Sequence, residues 1–189
     1  MNIILLTGFS ASGKSTLAKI LGEKLEMDML SVRALVDDIT QRSGFERTRY
    51  WLADIGISKA LEQLNEEIIY AIKLREKNNN GVIIDDLIDP KLVAILRDQF
   101  PEDIITVVAV KVDRKLRLQR VVERMGILAK DAIKELRFLD RIKQEAGLAQ
   151  AMCFAEIEVE NQRSIEEVTS ELKEKLEPKI FHTGGVERE

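Results

Sequence analysis

The sequence predicts an α/β protein: a three-layer α/β/α sandwich around a five-stranded parallel sheet, with helices on both faces and a small helical lid. Three observations predict it. Short apolar runs alternate with longer amphipathic segments along the chain, the pattern of parallel strands joined by crossover helices. The central runs are apolar at nearly every position, as in strands buried on both faces. A glycine-rich segment, Gly8 to Ser15, separates the first apolar run from the first amphipathic segment.

The first strand is Ile3 to Thr7, and a helix over 14–25 follows, because Leu17, Ile20, Leu21 and Leu25 recur at helical spacing. A weak strand is expected over 27–31 and a helix over about 34–43. One long helix is expected from about 49 to 77, with Ile57, Leu61, Leu64, Ile68 and Ile72 as its buried stripe. Asn78-Asn79-Asn80-Gly81 would stop it, since Asn and Gly accept the left-handed conformation of a helix end. Val82-Ile83-Ile84 is the next central strand, closed by Asp85-Asp86, and Pro90 opens a helix through Gln99. Ile104 to Val110 is a third long strand, followed by two arginine-rich helices over about 113–125 and 130–147. Ala155 to Glu160 alternates Glu with Ile157 and Val159, which predicts an edge strand with one wet face. Ser164 and Glu167 form a capping box for a last helix that buries Ile165, Val168, Leu172 and Leu176 and ends at Pro178.

Composition excludes several function classes. The net charge of −4 gives no global basic field, so neither nucleic acid nor a membrane is an expected partner. No stretch approaches the roughly 20 apolar residues of a membrane span, and the apolar run at the N-terminus is too short for a signal peptide. Cys153 is the only cysteine, which excludes an internal disulfide and suits a cytoplasmic setting; its apolar neighbours predict a buried small hydrophobe. His182 is the only histidine, so a histidine-built metal site or triad is not available. Oligomeric state is not legible.

Gly8-Phe9-Ser10-Ala11-Ser12-Gly13-Lys14-Ser15 matches G-x-x-x-x-G-K-[ST], with a buried strand before it and a helix after it. Such a loop turns successive backbone N–H groups toward one centre, and the helix N-terminus adds its partial positive charge; both bind anionic phosphate. ATP is therefore the expected ligand of Gly8, Ser10, Ala11, Ser12, Gly13, Lys14, Ser15 and Thr16. Lys14 would bridge the β- and γ-phosphates and Ser15 would ligate Mg²⁺. No Asn-Lys-x-Asp guanine-reading segment occurs in the chain, which disfavours an ordinary GTPase.

Asp85 and Asp86 fall at the C-terminal end of a central strand, where open α/β sheets bind ligands. One of them, Asp85 by preference, would hold Mg²⁺ or accept a proton. Arg117, Arg120 and Arg124 share a face of one helix, as do Arg137 and Arg141 on the next. Two arginine faces hinged on the short loop from Gly126 to Lys130 read as a lid over the triphosphate, with Arg120, Arg124 and Arg141 as catalytic cations. For Arg114 and Arg117 a solvated face, paired with nearby carboxylates, is the expected role.

From Ile3 to about Leu176 the sequence resembles P-loop nucleotide kinases, especially the archaeal adenylate-kinase-related proteins and the dephospho-coenzyme A kinases. Val82 to Asp85 is similar to the family's third strand with its terminal Asp, and Arg120 and Arg124 to its paired lid arginines. Asp140-Arg141, Gly147-Leu148, Ala155-Glu156 and Asn161 resemble the segment from lid helix to adenine-side loop, although the family usually has Asp where this chain has Glu156. The resemblance implies an adenine contact at Asn161. It also implies one domain over 1–178, with acceptor-binding helices at about 33–77 and the lid at about 113–147, ahead of a flexible tail over 179–189.

The acceptor half departs from the pattern. Relatives follow the strand-three Asp with Gly, then Arg two positions later; this chain has Asp86 and Ile88. Arg33, or the set Arg42, Arg47 and Arg49, is a candidate replacement clamp, and Tyr50 and Trp51 either stack on an acceptor ring or pack beneath the long helix. Three functions remain open at this point. One is a kinase for a nucleotide or nucleotide-like acceptor, dephospho-coenzyme A included. The others are a regulatory ATP-binding protein and a slow ATPase.

Overall fold

The structure, a computed structural model, describes residues 1–75 and 80–180. Strand β1 (Asn2–Thr7) lies at the centre, flanked by β3 (Gly81–Leu87) and β4 (Ile104–Lys111). The short strands β2 (Asp28–Leu30) and β5 (Ile157–Glu160) form the edges, giving the order β2-β3-β1-β4-β5 with every pairing parallel. The helices are α1 (Lys14–Leu25), α2 (Val32–Arg42), α3 (Thr48–Ile55), α4 (Ile57–Arg75), α5 (Lys91–Gln99), α6 (Arg114–Met125), α7 (Ala129–Glu145), α8 (Leu148–Cys153) and α9 (Ile165–Ile180).

Period-two alternation divides the core. Ile3 and Leu5 pack with Val32, Trp51, Leu64, Ile68 and Leu92 from α2 to α5 on one face. Ile4 and Leu6 pack with Leu17, Leu21, Val168 and Leu172 from α1 and α9 on the other. A third, smaller cluster of Val121, Ala132 and Leu136 joins α6 to α7. From β1 the chain moves toward β2 on one side, and from β3 it crosses over β1 to reach β4 on the other. This reversal opens a crevice at the C-terminal ends of β1 and β3, the expected ligand position in such a sheet.

Several local expectations are corrected. The long helix over 49–77 is two helices, because Gly56 adopts φ 81° and ψ 158° between α3 and α4, a backbone state that favours glycine. The break sets α3 against α4, so that both contribute to one cavity wall. The proposed stop falls partly on residues 78 and 79, outside the described residues, as do His182 and the tail beyond Ile180. Pro178 does not end α9, which runs to Ile180. Proline removes one hydrogen bond there, toward exposed Glu174, while Ile180 is buried in the core. Cys153 is exposed rather than buried, because it ends α8, a short helix the sequence did not reveal.

Strand β3 also differs. It continues through Asp85 and Asp86 to Leu87, and its pairing with β1 shifts between Leu5↔Ile84 and Thr7↔Leu87. Two residues of β1 therefore span three of β3. The extra residue returns Leu87 to the face occupied by Val82 and Ile84, and it re-aims the two carboxylates at the mouth of the crevice.

Candidate active site

The loop from Gly8 to Gly13 wraps the N-terminus of α1. Ala11 and Gly13 have positive φ, at 60° and 87°, so the backbone turns inward as an anion-binding nest. A side chain at Gly13 would collide with the Asn161 amide. Lys14 is buried, with its Nζ donating to Gly8 O at 2.9 Å, Phe9 O at 3.0 Å and Ser12 Oγ at 3.3 Å. Ser15 and Thr16 stay exposed at the first turn of α1, facing a cleft of about 980 Å³ that both line.

At the strand end the two carboxylates have different jobs. Asp85 Oδ1 accepts the backbone N–H of Val32 at 2.8 Å and so caps α2; among the described residues its Oδ2 has no hydrogen bond. Asp86 lies 3.3 Å from Lys14 Nζ and takes Lys143 Nζ on Oδ1 at 2.8 Å and Oδ2 at 2.6 Å. Burial would raise the Asp86 pKa, but attraction to Lys14 and Lys143 outweighs it and holds the carboxyl below its ordinary value. Burial pushes the Lys14 ammonium down to about 8, with the Lys143 charge adding to the shift and Asp86 opposing it.

Lys143 joins this site although the arginine spacing does not point to it. It lies on α7, 8% exposed, and its Nζ also donates to Gly8 O at 3.2 Å. A signal existed, since the buried positions of α7 are Ala132, Leu136 and Lys143: a lysine occupies the apolar stripe, where an unpaired charge does not belong.

Of the predicted arginines, α6 brings Arg120 and Arg124 to the cleft. Arg120 donates to Asn161 O at 3.0 Å and Ala11 O at 3.4 Å, and desolvation lowers its pKa. Arg117 is buried on the outer side of the loop. It pairs with Asp140 at 2.9 Å, donates to Ser10 O at 3.1 Å and lies over the Phe9 ring, so it braces the loop rather than forming a solvated face. Arg141 does not join the cleft. It is 76% exposed, pairs with Glu145 at 2.6 Å, and borders a separate recess with Phe9, Arg114 and Arg137. The reason is helical phase: Glu135, Leu139, Ile142 and Lys143 take the cleft face of α7, which leaves Arg137 and Arg141 outside.

Asn161, on the loop after β5, is buried and donates its Nδ2 to Ser12 O at 2.8 Å. It therefore ties the phosphate loop to the far side of the sheet. Arg163, on the same loop, lines the cleft beside it. The half of the cleft between α2, α3 and α4, where the sequence leads one to expect an acceptor, is walled by Val32, Val36, Trp51, Leu52, Ile57 and Leu61. Trp51 is buried at 1% exposure, whereas Tyr50 is exposed and stacks with Arg49. Arg33 reaches the rim only, 80% exposed and 3.8 Å from Asp37. Arg42 pairs with Asp38 and Glu67 away from the cleft.

Among the described residues no group of three or more His, Cys, Asp or Glu forms a self-sufficient metal site. The oxygens present, Ser15 Oγ and the Asp85 carboxylate, fit a hard cation that takes its remaining ligands from phosphate and water, as Mg²⁺ does. No described helix is long and apolar enough to cross a membrane.

The sequence profile of an AAA domain matches residues 4–145. The chain belongs to that family. The matched segment includes the phosphate loop, Asp85, Asp86 and all of α6 and α7, and ends before Asn161. A UPF0200/UPF0201 protein of Archaeoglobus fulgidus is 29% identical over 185 residues; the match covers 93% of this chain and 55% of that longer relative. A UPF0200 protein of Pyrococcus abyssi is 28% identical, covering 90% of this chain and 93% of the relative. Shikimate kinase from Aquifex aeolicus superposes with a TM-score of 0.60 at 22% identity, covering 98% and 100% of the two chains. Shikimate kinase from Bacteroides thetaiotaomicron gives 0.64 at 16% identity, covering 93% and 98%. The chain shares the fold of these shikimate kinases, the α/β/α sandwich the sequence predicts.

Proposed function

We propose that the chain is an ATP-dependent small-molecule kinase that transfers the γ-phosphoryl group to a nucleotide or nucleotide-like acceptor, a nucleoside monophosphate or dephospho-coenzyme A. The observation that carries this reading is continuity: the phosphate cradle opens directly into one cleft that runs past Asp85 and Asp86 to the chamber between α2, α3 and α4. At about 980 Å³ it is at the upper end of small-molecule sites, with room for a donor and an acceptor together. A site built only to hold ATP has no need of the second chamber.

In this reading Lys14 and the loop N–H groups bind the β- and γ-phosphates, and Ser15 with Asp85 would hold Mg²⁺, which neutralises charge on the transferring group. Arg120 and Arg124 supply further positive charge from α6. An acceptor hydroxyl would lie near Asp85; a phosphate acceptor needs no base. Most of the catalytic effect comes from fixing two substrates in one geometry.

A second reading, a regulatory ATP-binding protein or slow ATPase, draws on the acceptor half. Among the described residues the one arginine lining that half, Arg33, is on the rim and faces Asp37. Incubation with labelled ATP and Mg²⁺ against a panel of nucleoside monophosphates and dephospho-coenzyme A separates the readings. Phosphoryl transfer to any of them supports the kinase. Tight ATP binding without transfer, or ADP release independent of acceptor, supports the second reading.

A further inference from the structure

Lys143 is an unusual charge for its position in the fold. A lysine stem normally lets its ammonium reach water, yet this one is buried beneath α7 against the phosphate loop. Its partners are Asp86, through both oxygens, and Gly8 O. Lys14 donates to that same carbonyl and faces that same carboxylate. Two buried ammonium groups therefore share one carboxylate, and one positive charge is left without an anionic partner.

A purely structural ion pair between α7 and β3 would need one lysine and one aspartate. The surplus charge lies instead at the open mouth of a phosphate cradle, in a cleft lined by both lysines. Lys14 is the loop residue that addresses the β- and γ-phosphates. Lys143 sits beside it, on the Asp86 carboxylate at the end of β3. The arginines of α7 point elsewhere, so Lys143 is the cation that this helix offers to the cleft.

We propose that Lys143 is a γ-phosphate-binding residue, and that Asp86 holds its ammonium in place until a triphosphate arrives. The proposal rests on reading the cleft as a triphosphate site. On nucleotide binding the γ-phosphate oxygens replace the Asp86 carboxylate as the partner of Lys143. Because a diphosphate lacks that group, Lys143 distinguishes ATP from ADP, a specificity role carried by a point charge rather than by an arginine fork.

The test is equilibrium binding of ATP and ADP, measured in EDTA to remove any metal contribution, for the full chain and for Lys143→Met and Asp86→Asn. Lys143→Met is expected to weaken ATP about tenfold or more, the scale of a charge-assisted hydrogen bond, while ADP changes by less than about twofold. Asp86→Asn removes the competing carboxylate, so the preference for ATP over ADP should rise. A merely structural pair predicts a different pattern, with both variants breaking one contact and moving both affinities the same way. Equal losses of ATP and ADP in Lys143→Met overturn the proposal, as does no change in either. If Lys143→Met does not fold, a lowered or unchanged ATP preference in Asp86→Asn overturns it alone. Failure of the unmodified chain to bind either nucleotide sinks the triphosphate-site reading along with it, whereas binding of both without an ATP-specific effect overturns only the role of Lys143.

Discussion

The two ends of the cleft are built in opposite ways. At the donor end the groups that face the ligand are backbone amides and buried charges, and each is tied to another: Lys14 to Gly8 and Asp86, Arg120 to Ala11 and Asn161, Asn161 to Ser12. At the acceptor end the walls are apolar side chains of α2, α3 and α4, and Arg33 and Asp37 are confined to the rim. The donor end is pre-organised for a polyanion whatever else is bound. In the proposed kinase, the acceptor end would select by shape and burial, which single substitutions retune easily. Changes at the donor end should therefore be large and specific to ATP, and changes at the acceptor end small and specific to the second substrate.

The largest effect is expected from Lys14→Met, which should weaken ATP by at least about 100-fold, since it removes the loop's own phosphate-binding charge. Its effect on stability should be opposite in sense. Burial, helped by Lys143 and opposed by Asp86, lowers the Lys14 pKa from 10.5 to about 8. Between those values the unfolded chain holds a proton that the folded protein has shed. The contribution of this group to stability is thus fully present above 10.5 and lost as pH falls through about 8. In the variant that pH-dependent rise should vanish, and at neutral pH the empty protein should melt no lower than the unmodified one. Paired melting curves at neutral pH and at about pH 9.5 check this, and a lower melting point at neutral pH would count against it.

Asn161→Ala comes next. Loss of its amide leaves the buried Ser12 carbonyl without that donor, a cost of about 1–3 kcal/mol. ATP binding should weaken about tenfold, and backbone amides of the 8–13 loop should exchange hydrogen faster, with the acceptor KM unchanged. A rise in acceptor KM without loss of ATP affinity would place Asn161 at the other end of the cleft.

The same contrast explains what could be read in advance. The phosphate loop is legible because its geometry demands particular residues at particular spacings, and the strands because Ile3 to Leu6 and Val107 to Val110 are buried on both faces. Gly56 is an isolated glycine inside a helical pattern; the stripe of Ile57, Leu61 and Leu64 begins only after it, so no apolar periodicity tests the continuity of the helix across it. The Asp85-Asp86 pair was recognisable as a site, but which carboxylate faces Lys14 depends on a one-residue register shift that no local pattern encodes. Lys143 and Arg141 exchange roles because arginine spacing shows which residues share a face and leaves open which way that face turns.

The acceptor wall gives a smaller prediction. Leu61 lines the chamber from α4, and Leu61→Ala removes contact area without touching the loop. The KM for whichever acceptor the transfer assay identifies should rise about threefold to tenfold, on the scale of a kcal/mol of apolar burial. ATP affinity should stay within about twofold. A large loss of ATP affinity in this variant would mean that the two ends are coupled rather than separately built.

Arg141→Ala should have the smallest effect, although sequence spacing ranks it with Arg120 and Arg124. Its guanidinium is exposed, its partner Glu145 is a neighbour on the same helix, and the cleft face of α7 belongs to Leu139, Ile142 and Lys143. An exposed pair of this kind contributes little to stability, so the melting point should barely move. ATP affinity should change by less than about twofold, and the transfer rate likewise. A loss of transfer approaching that of Arg120→Ala would require α7 to rotate by nearly half a turn, carrying Lys143 away from Asp86. Closure of that kind would expose Lys143 as Arg141 entered, so amine-reactive labelling of Lys143 with and without ATP distinguishes a rotating lid from a fixed one.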